Sequence, residues 1–385
     1  MILMAAIRIV VDYRGQPAVY GPPAMGLTTT SSAWGVMTEQ SLMLDRPAAA
    51  LQRPASTEIR WVFRGYDTGA LEEFFKSCGL SARRLGFLLD RQNWQVAGDS
   101  ITVTPPLAVI QEMNPAARRK VYDVLAREPE NMAQRYPFVF RGSFEEWFAG
   151  CQLPAQQLRE LRRMVYKKDN VFVFSDLSYF QLTMASNDLV QLVRQISRVP
   201  TVMASLSLKR SSDVTQLHRY WQSPDGTSRW DGAVASLARE HPEELDVAAL
   251  LPSLPRALLY RYPDEHLAVP RNADCVWTAM NFFNDPPDPR FVDQAYTGGI
   301  LNTAYRVVPQ ADAFGDVIML YKPAADGRAQ LIHMCVQIAG DVVFTKNGGD
   351  IFQPWVLMRM EDVRVLFSYE PEIRTTVFRR RGRGS

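Results

Sequence analysis

The chain has 385 residues, 47% of them hydrophobic, and a formal net charge of +2. That length predicts two or three domains with ordinary buried cores. The balanced charge argues against a dedicated nucleic-acid binder. Four cysteines without metal-ligand spacing exclude both a disulfide scaffold and a zinc site, so no metal and no cofactor is expected.

In chain order, Met1 to Val11 is apolar but short, interrupted by Arg8 and preceded by no basic stretch. It predicts a strand, and neither a signal peptide nor a transmembrane segment. Residues 13–56 are rich in Gly, Pro, Ser, Thr and Ala, with Gln16-Pro17 and Gly21-Pro22-Pro23. This composition predicts a linker or an arm lying on another surface. Residues 1–56 are therefore read as a strand followed by an extended arm.

Residues 57–200 contain an internal duplication, with copies at about 61–127 and 138–198. Phe63-Arg64-Gly65, Glu72-Glu73-Phe74-Phe75, Cys78, Leu80 and Leu85 in the first copy have counterparts in the second. These are Phe140-Arg141-Gly142, Glu145-Glu146-Trp147-Phe148, Cys151, Leu153 and Leu158. Ile101-Thr102-Val103-Thr104 and a helix from Asn114 parallel Val171-Phe172-Val173-Phe174 and a helix from Asn187. Each copy reads as helix, turn, helix, strand, helix. Gly79 is a helix C-cap candidate and Ser81 an N-cap candidate. Phosphate-neutralising cations are not gathered on one face of either second helix, so a DNA-binding helix-turn-helix is not expected. Cys78 and Cys151 occupy equivalent apolar positions and are read as core residues.

Residues 201–254 predict a helical connector. Asp213 to Trp221 forms one helix with Leu217, Tyr220 and Trp221 on its apolar face, and Trp230 to Arg239 forms another.

Chemistry concentrates in residues 255–385. Asp274-Cys275-Val276-Trp277 predicts a buried helix with Asp274 as N-cap and Cys275 on its first turn, where the helix end favours a thiolate. Phe314 to Tyr321 reads as a turn entering a strand. Leu331 to Ile338 is a second strand, Gly340-Asp341 a hairpin turn, and Val342 to Asn347 a third strand. Alternation places His333, Cys335 and Gln337 on one face, and a hairpin can set Thr345 or Asn347 beside His333. A helix-start cysteine, a strand histidine and a neighbouring polar residue compose a thiol acyl-transfer site in which imidazole deprotonates the thiol.

The order Asp274-Cys275, Gly315-Asp316-Val317, then His333 through Ile338-Ala339-Gly340-Asp341 resembles the NlpC-type cysteine peptidases, a papain-like superfamily. The resemblance covers roughly 255–385. It implies an α+β papain-like domain with a helix on an antiparallel sheet, Cys275 as nucleophile, and His333 as base. It also implies Thr345 or Asn347 as the orienting residue, with Tyr262 and Asp274 near the oxyanion or substrate. Val276-Trp277 stand where the family carries Ser-Gly, and Pro263-Asp264 where it carries Gly-Gly. The implied activity is hydrolysis of amide bonds in a peptide or cell-wall fragment in the periplasm or cell envelope. The same scaffold admits an acyltransferase, or an inactive scaffold or peptide-binding module. Compartment and oligomeric state stay open, as does any role for His266. Arg379-Arg380-Arg381-Gly382-Arg383 reads as a solvated basic tail.

Overall fold

The computed structural model describes residues 27–47, 58–135, 137–140, 142–168, 171–208, 214–224, 226, 244–263, 267, 269–270, 272–323, 329–349, 351–367 and 372–382. The expected strand at Met1 to Val11 and helix at Trp230 to Arg239 lie outside these residues. So do His266 and Arg383. The chain divides into two compact units. Among the described residues, one takes in 27–44 together with everything from Val199 onward, and the other spans Asp45–Arg198.

Part of the expected arm is a sheet. Three consecutive threonines, Thr28 to Thr30, are β-branched and suit a pleated edge. Strand β1 (Leu27–Ser32) pairs antiparallel with β2 (Gly35–Leu44) through a turn at Ala33 and Trp34. β2 buries Met37, Glu39 and Ser41, the period of two that a one-sided strand requires.

The unit from Asp45 to Arg198 begins with β3 (Trp61–Arg64), α1 (Thr68–Lys76), α2 (Ala82–Leu89), β4 (Trp94–Ala97), β5 (Ser100–Val103), α3 (Leu107–Glu112), α4 (Pro115–Leu125) and α5 (Met132–Arg135). It continues with β6 (Phe138–Phe140), α6 (Phe144–Trp147), α7 (Ala155–Met164), β7 (Tyr166–Lys168), β8 (Val171–Phe174), α8 (Leu177–Thr183) and α9 (Ser186–Ile196). The strands form two antiparallel three-stranded sheets, ordered β3–β5–β4 and β6–β8–β7. Each segment thus carries three strands where the sequence suggested one. The additional ones are short, and β4 joins β5 through a turn at Gly98-Asp99. Trp61, Phe63, Phe75, Phe140, Trp147 and Phe174 bury themselves in one core fed by both segments, and Cys78 joins them.

At the centre of that core lies a charge. Arg118 on α4 is fully buried and pairs with Asp176, which is also buried. The guanidinium also donates to the carbonyls of Ile110 (2.5 Å) and Met113 (3.2 Å), while the Tyr122 hydroxyl donates to Asp176. Burial raises the Asp176 carboxyl above its ordinary range, and the adjacent Arg118 charge opposes that rise. An ion pair this enclosed is costly to form but far more costly to break, because the survivor is an uncompensated buried charge.

The other unit resumes with β9 (Val199–Ser207), which pairs with β2 from Val199↔Leu44 to Ser207↔Val36. It is followed by α10 (Val214–Tyr220), β10 (Glu244–Asp246), α11 (Ser253–Leu258), α12 (Cys275–Met280) and α13 (Gln294–Ala304). Then come β11 (Tyr305–Val308), β12 (Val317–Pro323), β13 (Ala329–Ala339), β14 (Val342–Lys346), β15 (Trp355–Arg359), α14 (Met360–Leu366) and β16 (Arg374–Arg380). Two antiparallel sheets result, β1–β2–β9–β10 and β11–β16–β12–β13–β14–β15. The stretch read as a helical connector therefore contributes strands β9 and β10 to this unit. The fold class is α+β, as expected.

Across β12 to β15 both faces of the six-stranded sheet are covered. Met334, Val336, Ile338, Phe344 and Leu357 share a core with α12 and with Met37, Val202 and Leu206 of the smaller sheet. The alternate side chains are equally enclosed but turn toward α14, where Cys335 Sγ lies 3.8 Å from Met360 Sδ. Arg359 Nε donates to buried Glu39 (2.9 Å), and Thr201 Oγ1 donates to the Leu357 carbonyl (2.8 Å), so β15 is tied to the smaller sheet. Arg379 and Arg380 belong to β16 rather than to a solvated tail.

Asp176→Ala, which strands the Arg118 guanidinium, is expected to destabilise the Asp45–Arg198 unit by about 3–5 kcal/mol. Replacing both partners, Arg118→Met with Asp176→Leu, is expected to recover most of that loss. Urea titrations followed by tryptophan fluorescence measure both; equal losses in the single and double variants would show that the two charges are not coupled.

Candidate functional site

Asp274 caps α12 as its sequence position suggests: its Oδ1 accepts the Trp277 N–H at 2.8 Å. The helix is short, and all six of its side chains are buried. Cys275 stands at its first position with 6% of its surface exposed. Burial and the neighbouring Asp274 carboxylate push the thiol up to about 12. The same carboxylate that caps the helix therefore opposes a thiolate, and a helix of this length does not overcome the desolvation.

His333 sits in the middle of β13 with no exposed surface. Its Nε2 lies 2.8 Å from Thr345 Oγ1, and Thr345 in turn donates to Asn347 Oδ1 at 3.3 Å. Because the threonine proton is committed to Asn347, Nε2 carries the imidazole hydrogen and Nδ1 is a bare lone pair. Nδ1 has no hydrogen-bond partner among the described residues. The ring stacks on Phe367, centroids 4.7 Å apart. Desolvation holds its pKa down at about 3, so the ring is neutral.

The sequence brought Cys275 and His333 together; the structure does not. Met334, next to His333 on the strand, shares the α12 core with Cys275. His333 points the opposite way, with Cys335, toward Phe367 and α14. A bulge fixes this assignment. Leu320 pairs with His333 and Tyr321 with Leu331, which leaves Ile332 extra, so Leu331 rejoins the α12 face while His333 does not. No hydrogen bond joins thiol and imidazole, and a sheet separates them. Thr345 and Asn347 do gather at His333, but on the face away from the sulfur.

Tyr262 follows a segment in which Tyr260 N donates to the Trp355 carbonyl (2.8 Å) and Trp355 N donates to the Arg261 carbonyl (3.0 Å). The Tyr260 hydroxyl is engaged by the Val202 carbonyl at 2.8 Å. Asp316, in the Gly315-Asp316 pair, is 1% exposed and accepts the N–H groups of Asp312 (3.2 Å) and Ala313 (3.0 Å), along with Arg379. It organises a turn. Gly315 is required there: at φ +87, an added Cβ would stand 2.3 Å from the Phe283 ring.

Sequence reasoning missed Lys346. It is fully buried, with Nζ 2.7 Å from the Gly348 carbonyl and 5.5 Å from the Trp355 ring centroid. Its charge partly offsets the rise in the Cys275 thiol. Strand alternation carried the signal, since Lys346 is two residues from the core Phe344 and falls on the same side. Among the described residues no group of three or more His, Cys, Asp and Glu is arranged to hold a metal ion. Nor is any described helix long and apolar enough to cross a membrane.

The buried neutral imidazole makes stability depend on pH. An unfolded chain takes up the His333 proton near pH 6.5, whereas the native state resists it until about 3. The native state is therefore fully stable above the unfolded value and loses stability as pH falls toward the folded one, by at most about 1.4 kcal/mol per unit. His333→Phe keeps the stacking with Phe367 and leaves Thr345 bonded to Asn347. It is expected to flatten the fall in unfolding midpoint between about pH 6 and 4. Parallel slopes for parent and variant in acid titrations would contradict a buried neutral His333.

No family model matches this chain, and neither a curated protein nor a solved structure matches it.

Proposed function

We propose that this chain is a binding protein built on a catalytically silent, papain-like (NlpC-type) scaffold, to which a duplicated module is attached. The observation that carries this reading is the separation of Cys275 from His333, both buried and on opposite faces of β13. An acyl-transfer site needs thiol and imidazole within hydrogen-bond reach of each other and open to a carbonyl. Papain-like ancestry is supported by the order of pieces. A helix bearing Asp274-Cys275 precedes a strand led by Gly315-Asp316, then the His333 strand and its hairpin at Gly340-Asp341. The hydrogen bond from His333 to Thr345 is the observation that favours the second reading, a cysteine hydrolase or acyltransferase acting on cell-wall peptides. That reading requires α12 to seat on the other side of the sheet.

Duplication is supported by the two segments of the Asp45–Arg198 unit. Each runs strand, helix, helix, strand, strand, helix, helix and places its third strand in the middle of its sheet.

Alkylation kinetics test the silent-thiol reading. With iodoacetamide at neutral pH, half-buried Cys151 is expected to label first and Cys78 more slowly. Cys275 and Cys335 are expected to label at rates set by unfolding of their unit. Modification of Cys275 ahead of Cys151 in the native protein would overturn the silent scaffold and restore the hydrolase.

A further inference from the structure

A cavity of about 530 Å³ opens beside the end of β16. Its volume is in the range of small-molecule sites. Tyr220 on α10 and Phe314 before β12 provide apolar wall. Both are fixed: the Tyr220 hydroxyl donates to the Ile338 carbonyl at 2.9 Å, and Phe314 packs on Trp221 and Phe282 with centroids 5.3 and 5.5 Å away. Three arginines line the same space, Arg219, Arg379 and Arg380, with Asp316 as the lining carboxylate.

The charges are not equivalent. Asp316 is closed to solvent and engaged by Arg379 Nε and Nη2, each at 2.7 Å. Asp312, outside the lining, also accepts from Nη2. This clamp holds the Arg379 guanidinium rigidly while leaving both N–H groups of Nη1 without a partner among the described residues. Arg219 and Arg380 form no ion pair among the described residues. An immobilised guanidinium with an unused donor edge loses little entropy on meeting an oxyanion, and two further cations beside it add attraction.

We infer that this cavity binds a small organic anion. Its apolar body lies against Tyr220 and Phe314, and its carboxylate or phosphoryl oxygens meet Arg379, Arg219 and Arg380. The site is on neither the Cys275 nor the His333 side chain and stands whether or not that thiol reacts.

Isothermal titration of the full chain with phenyl phosphate, benzoate and benzyl alcohol tests it. At least one of the two anions is expected to bind saturably, and the uncharged alcohol is not. The stronger anion distinguishes a phosphoryl from a carboxylate ligand. Arg219→Ala with Arg380→Ala, whose fold is checked by circular dichroism, is expected to weaken the anion by about tenfold or more. Absence of saturation by either anion up to about 10 mM, or unchanged affinity in the double variant, would overturn the assignment.

Discussion

Successive side chains of a strand face opposite ways, and in β13 both directions lead into packed interior. That constraint governs the C-terminal unit. Met334, Val336 and Ile338 anchor α12 on one face, while His333 and Cys335 meet α14 and Phe367 on the other. Once Met334 is committed to α12, His333 is committed away from it. Moving the imidazole to the sulfur would expose or overpack the whole strand. Burial then sets the chemistry of both groups, keeping the thiol protonated and the ring neutral at ordinary pH.

Three buried or half-buried ion pairs hold distant parts of the sequence in register. Arg118 meets Asp176, Arg359 meets Glu39, and Arg379 meets Asp316. Each pair closes a sequence gap that apolar contact alone would leave free to slide. Hydrophobic burial is non-directional, whereas a desolvated charge tolerates one geometry. Arg379 shows the same device at an accessible position, since its carboxylate partners fix one edge of the guanidinium and free the other.

Local features were legible in the sequence. Asp274 as N-cap, the burial of α12, the strands β12, β13 and β14 and the Gly340-Asp341 turn all follow from capping, composition and turn chemistry. The Gly98-Asp99 pair carried the same hairpin signal as Gly340-Asp341, and the strand β4 that precedes it was not anticipated. β1 and β2 were hidden by Thr and Ser, which mark loops by composition, although β-branched Thr suits a strand. The decisive failure concerned facing. A strand buried on both sides shows nearly continuous hydrophobicity, so its pattern does not say which side a helix covers. Pairing Cys275 with His333 required that information, and the bulge at Ile332 lies below what periodicity can resolve.

Leu44 and Val199 are neighbours across β2 and β9, although the entire Asp45–Arg198 unit lies between them in sequence. During synthesis β2 leaves the ribosome long before its second partner, β9, exists. The intervening unit has its own core and can fold as the chain emerges. Its completion brings the two strand ends together, as the bond from Arg46 Nε to the Ser197 carbonyl records. Until then the β1–β2 hairpin presents the apolar side of Met37 to solvent without β9, so the nested arrangement makes the earliest-made strands of the sheet dependent on a holding period that later translation ends.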